Sequence, residues 1–159
     1  MRKAISAYIS SALLILIVII ATSLTLTIFK PTLDKAKDAA VVDEAFQNLQ
    51  MLDRVIKEVV SEGEGSRRTI TLSVSDGIYS VDSQTNSINF TYRLRGNFRI
   101  SGSRSRINVT STEDKVTLFI RYTKIDLQGS AHFPKGVNKV LVLHNGTNST
   151  NYPIIYIGK

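Results

Sequence analysis

The strongest constraint on this chain is a long run without charge. From Ala4 to Phe29 there is no Asp, Glu, Lys or Arg, and Ala12 to Ala21 (ALLILIVIIA) has no polar side chain at all. As a helix rising about 1.5 Å per residue, the run extends about 39 Å, against a bilayer hydrocarbon core of about 30 Å. It is long enough to cross a membrane with some tilt. The rest of the 159 residues has room for one compact domain.

The residues flanking this run allow three readings. In the first, Arg2 and Lys3 open a signal peptide with Ala12 to Ile20 as its apolar core and Ala21-Thr22-Ser23 as a small-x-small cleavage site. Leu24, Leu26, Ile28 and Phe29 then continue the apolar run past that site. In the second, the run is a permanent anchor, with Arg2 and Lys3 holding the N-terminus inside. In the third, the order of two basic residues, a small residue and an immediate apolar segment is the mark: Arg2-Lys3-Ala4 followed by Ile5-Ser6-Ala7-Tyr8. This order resembles the leader of archaeal prepilins and archaellins, which a dedicated membrane peptidase cuts after the small residue. The resemblance covers the chain to about residue 60 and places processing at Lys3, Ala4 and Ile5. A four-residue leader, 1–4, would be removed and the whole apolar helix kept. Bacterial type IV pilins carry glutamate at the fifth mature position, where this chain has Ile9; archaeal relatives commonly lack it.

Beyond the run, Pro31 predicts a kink or break, because it removes one helix hydrogen bond and crowds the carbonyl of Thr27. Thr32 to Ser61 then contains no Gly or Pro, and places Val42, Ala45, Phe46, Leu49, Leu52, Ile56, Val59 and Val60 mostly three or four residues apart. That spacing predicts one buried stripe on a helix over 32–61. Asp43, Gln47, Gln50, Asp53, Arg54, Lys57 and Glu58 fall on the opposite face. Asp53 and Lys57 form a favourable i,i+4 pair, and Asp34 and Asp38 an unfavourable one. If continuous, residues 5–61 make a helix of about 85 Å, wider than any globule this chain could form. The serines and threonines diluting the apolar half can bond back to their own helix or across to a neighbour.

Glu62-Gly63-Glu64-Gly65-Ser66 reads as a helix stop and flexible joint, within a linker over 62–68. The hydrophobic period then falls from about 3.6 to about 2. Ile70, Leu72 and Val74 alternate with polar residues, as do Ile88 to Leu94, Ile107 and Val109, and Val116 to Tyr122. Asp76-Gly77 signals a tight turn before Ile78 to Val81. Val137 to Leu143 and Pro153 to Ile157 read as strands buried on both faces or at a sheet centre. The expected fold is α+β: a long helix, hydrophobic then amphipathic, packed on an antiparallel β-sandwich over 69–159.

Little in the sequence points to catalysis. Cysteine is absent, so disulfides and thiolate metal sites are unavailable. His132 and His144 lack metal-ligand spacing. Gly63-Glu64-Gly65 follows a helix, where a dinucleotide site needs a strand. No catalytic residue, metal or cofactor is therefore expected. Four sequons, at Asn89, Asn108, Asn145 and Asn148, are candidate N-glycosylation acceptors and favour an extracellular domain. The net charge of +7 sits in the C-terminal region: residues 69–159 hold eleven Lys/Arg against five Asp/Glu. Arg93, Arg95, Arg99, Arg104 and Arg106 form a candidate patch for an anionic partner such as a surface polysaccharide. No stacking aromatics accompany the patch, which argues against nucleic acid. A solvated rim, or pairing with acids of a neighbouring copy, explains the same arginines.

These features together suggest a non-enzymatic, helical homo-polymer at the cell surface. Its precursor would be membrane-inserted and handled by a prepilin-type peptidase and an assembly machinery. A singly anchored surface protein, or a secreted β-domain, is the alternative.

Overall fold

The computed structural model describes the backbone of residues 2–96, 100–129 and 131–159, with side chains from residue 10 onward over the same ranges. One helix, α1, runs Arg2–Glu62 over 61 residues, about 90 Å at standard rise. Pro31 lies inside it, and the expected break does not occur. A single missing N–H removes one bond of the ladder while the turns on either side keep theirs.

The helix stops where the chain turns left-handed, at Gly63 with φ 93°. The Ser66 hydroxyl lies 2.7 Å from the carbonyl of Val59 and 2.6 Å from that of Gly63, so its one proton is shared between an acceptor the last turn leaves open and the corner itself. Gly65 N–H donates to His144 O at 3.0 Å, and His144 N–H to Ser66 O at 2.9 Å. The glycine-rich segment is thus a corner bonded into the sheet.

Eight strands follow among the described residues: β1 Arg67–Asp82, β2 Ser87–Arg93, β3 Gly102–Arg104, β4 Ile107–Ser111, β5 Lys115–Arg121, β6 Asp126–Gln128, β7 His132–Thr147 and β8 Pro153–Gly158. They join in one sheet of order β3-β4-β5-β2-β1-β7-β8-β6. Every pairing is antiparallel except β6 with β8, which is parallel. The α+β class is as expected, but hydrogen bonding links all the strands into one mixed sheet. The second half of α1 packs against the sheet. The stripe explains why: Val42, Ala45, Phe46, Leu49, Leu52, Val55, Ile56 and Val59 are buried with Leu72, Tyr79, Phe90, Leu118, Ile120 and Val140 in one core.

Asp76-Gly77 is not a hairpin turn. β1 continues through it as a bulge: Val74 pairs with Gly136 and Ile78 with Pro134. The bulge changes which face the side chains take, so Leu72 and Val74 before it and Tyr79 and Val81 after it are all buried. β7 and β8 are buried chiefly on one face, since Val137 is 76% exposed and Tyr156 42%.

Candidate functional site

Among the described residues, the first half of α1 packs against no other element. From Leu13 to Leu33 the large apolar side chains are 51–67% exposed, which is as bare as a lone helix allows. Its hydroxyls turn inward: Thr22, Thr25 and Thr27 donate to the carbonyls of Val18, Ala21 and Ser23 at 2.8, 2.8 and 2.9 Å. These bonds leave hydrocarbon on the surface and no unmet donor at those positions. The segment is long and apolar enough to cross a membrane, a property shared by anchors and signal sequences.

The second half is fastened by polar side chains as well as by its stripe. Asp38 is fully buried. It accepts from Tyr92 Oη at 2.8 Å, from the Arg95 N–H at 3.1 Å and from the Gly96 N–H at 2.8 Å. Glu44 accepts from Ser75 N–H at 2.8 Å and from the Ser75 hydroxyl, at the edge of the bulge. Asn48 donates to Ser73 O at 2.7 Å and to Tyr79 Oη at 3.2 Å. Asp53 takes Tyr122 Oη at 3.1 Å and Lys57 Nζ at 2.5 Å. Burial, and then the Asp38 carboxylate, push the Tyr92 phenol up to about 12. Burial likewise raises Tyr79, and burial followed by Asp53 raises Tyr122. Sequence periodicity missed this use of the acids. It assigned Asp53 to the solvent face and Asp38 to a repulsive pair, because a helical wheel does not show where the sheet's donors will lie.

The arginine cluster is divided. Arg104 stacks over Phe46 at 5.3 Å, and Arg106 lies over Tyr122 at 5.8 Å with Asp53 at 3.9 Å. Those two close the flank of the helix. Arg95 pairs with Asp76 at 2.6 Å. Arg93 is exposed at the end of β2, opposite Lys115 in register. Arg93 and Arg95 line a groove of about 750 Å³ with Asp76, Ile78 and Lys135. Arg99 lies outside the described residues.

Two sequons share a surface. Asn89 and Asn108 each stand opposite Phe119 in the ladder, one strand to either side of it, and Thr91 and Thr110 likewise flank Thr117. All lie on the sheet face away from α1. Asn145 is exposed near the end of β7. Asn148 is engaged: its Oδ1 accepts from the Thr150 N–H and hydroxyl and from the Tyr152 N–H, and its Nδ2 donates to Asp126 at 3.3 Å. It builds the turn into β8. Around the expected cleavage point, the backbone of Lys3, Ala4 and Ile5 is helical, and their side chains lie outside the described residues.

Among the described residues no group of three or more His, Cys, Asp or Glu is placed to hold a metal ion. Comparison with family models, with curated proteins and with solved structures finds no match.

Proposed function

We propose that the chain is a structural subunit of an extracellular, type IV pilus-like filament, inserted in the membrane as a precursor and assembled through its apolar helix. One observation carries the reading: a bare apolar half, from Leu13 to Leu33, continues without interruption into a half locked to the sheet. Such a helix holds its domain at a fixed height and needs a surrounding on every side. Lipid supplies that surrounding before assembly, and copies of the same helix supply it afterwards. Processing between Ala4 and Ile5 by a prepilin-type peptidase would free the helix for assembly. The sheet face carrying Asn89 and Asn108 would point outward, with glycans there and at the exposed Asn145. An anchored surface protein that remains monomeric is the second reading, favoured by the same bare helix.

Ala12→Trp separates the two. Lipid chains adapt to an added indole ring, whereas a close-packed helix bundle does not; overpacking there typically costs about 1–3 kcal/mol per subunit. Normal membrane levels with lost or shortened filaments, by fractionation and negative-stain microscopy, are expected. Wild-type cells with no filament containing this chain would leave the anchored protein as the account.

A further inference from the structure

We propose that the base of the sheet domain, where it meets the apolar half of α1, binds anionic lipid headgroups. This rests on the reading that the apolar half lies in lipid. The height of the base is set by Asp38, whose bonds to Tyr92, Arg95 and Gly96 pin the end of β2 to the helix. Asp38 lies nine positions after Phe29, the last of the uncharged run, a rise of about 13 Å. Lys35 is lower still, and a Cβ on Gly96 would sit 3.3 Å from its Cγ. The headgroup zone reaches about 5–7 Å beyond the hydrocarbon on each side. The loop after β2 therefore stands about 6 Å above the headgroup zone, within the length of a lysine or arginine side chain, and the bulge of β1, held at Glu44, stands higher.

The charge at that height is positive and poorly matched from within. Arg93 faces Lys115 in register, an arrangement that repels unless an anion joins it. Lys135 stands with Arg93 on the groove at the bulge, and Lys35 lies beside Gly96. Arg93, Lys115, Lys135 and Lys35 are exposed and have no ion pair among the described residues. With Lys30, Lys37 and Arg95 the base holds, among the described residues, seven cations against five acids: Asp34, Asp38, Asp76, Glu113 and Asp114. Of those acids, Asp38 is buried and Asp76 is taken by Arg95. Ile78, 49% exposed, adds apolar surface on the same groove. Cations beside an exposed aliphatic side chain, held within side-chain reach of the headgroups by a spanning helix, suit a phosphate-bearing lipid. An acidic patch on a second copy would have to meet them at that same height.

The test uses the full chain in nanodiscs. Cysteine is absent, so Ser73→Cys, on the exposed face of β1, takes one fluorophore. Energy transfer is measured to trace acyl-labelled phosphatidylglycerol or phosphatidylcholine. Phosphatidylglycerol should be enriched around the protein severalfold, about fivefold for each basic residue engaged, and the enrichment should fade at high salt. Arg93→Glu with Lys135→Glu should abolish it without changing the melting temperature, while Arg93→Lys with Lys135→Arg should keep it. Equal transfer to both lipids, or enrichment unchanged by the charge reversal, overturns the proposal. Loss of self-association with lipid enrichment intact also overturns it and assigns the surface to a second copy. Protease protection of the segment before Lys30 is read in the same discs. Protection without lipid selectivity sinks the headgroup site alone; absence of protection sinks both it and the membrane reading.

Discussion

Tyr92 donates its hydroxyl proton to Asp38 at 2.8 Å, joining residues 54 apart in sequence. The bond closes the lower end of the helix–sheet joint, and two backbone N–H groups complete the same carboxylate's shell. Hydrogen bonds to a buried charge contribute about 1.5–3 kcal/mol each. Tyr92→Phe, which leaves the two backbone donors in place, should lower unfolding free energy by about 2 kcal/mol. Asp38→Ala leaves three donors without their acceptor and should cost about 4 kcal/mol or more. Urea titration of a fragment beginning at Leu33 measures both. Losses below half a kilocalorie would show that the joint does not depend on this contact.

The same phenol sets an alkaline limit. Its folded value of about 12 lies above the ordinary value near 10, so above about pH 10 the unfolded chain gives up a proton that the folded chain retains. Stability from Tyr92 is complete below about pH 10 and is lost as pH rises through about 12. Tyr79 and Tyr122 are raised for the same reason and act in the same direction. Unfolding midpoints should fall steadily from about pH 9.5 to about 11.5, with the share of tyrosinate absorbance that belongs to the buried phenols rising only as the chain unfolds. Tyr92→Phe should flatten the slope. A midpoint independent of pH across that range would contradict it.

Gly77 fixes the bulge. Its φ is 88°, and a Cβ there would lie 2.7 Å from two Phe90 ring atoms and 2.8 Å from the Thr91 carbonyl oxygen. Gly77→Ala combines left-handed strain with a clash against backbone, and should cost about 3 kcal/mol. Thermal unfolding of the Leu33 fragment reads this directly. A variant as stable as wild type would mean the bulge relaxes freely.

The sheet should not stand without its helix. Seven large side chains from Val42 to Val59 lie in the shared core, each contributing about 1.5–3 kcal/mol on burial. Their sum rivals or exceeds the total stability of an ordinary domain, about 5–15 kcal/mol. A fragment from Leu33 should be soluble and unfold cooperatively, whereas one from Glu62 should show no cooperative transition by circular dichroism. Similar melting curves would show that the stripe packs elsewhere.

Lys3→Glu tests the leader. A reversed charge beside Ala4 should block cleavage before Ile5, seen as a mature N-terminus retaining Met1 by mass spectrometry, and should abolish filaments. Normal assembly of that variant would remove the prepilin account.

How much of this was legible in the sequence depends on the range of the interaction. Helical spacing found the stripe, because residues three and four apart share a face whatever they later pack against. Alternation found most strands for the same local reason. What it could not find was long-range. Asp76-Gly77 looked like a turn because bulges and hairpins use the same residues, and the difference lies in Gly136 and Pro134 across the ladder. The hydrogen bonding that joins all the strands in one order, with β6 parallel to β8 at its edge, is likewise long-range, and alternation in the strands cannot show it. The arginines of residues 93–106 read as one patch by proximity in sequence. In space Arg104 and Arg106 went to Phe46 and Tyr122, and Arg93 joined Lys115 and Lys135.

The antiparallel course of α1 and β1, joined at the Gly63–Ser66 corner, also has a mechanical meaning. A pull on the apolar half would draw the helix lengthwise past the sheet, the direction of shear. Asp38, Glu44, Asn48 and Asp53 are spread along the sliding seam, so they and the stripe between them would take the load together. Unzipping one contact at a time would need force across the helix, which a subunit held by its N-terminal end in a tensioned polymer does not feel.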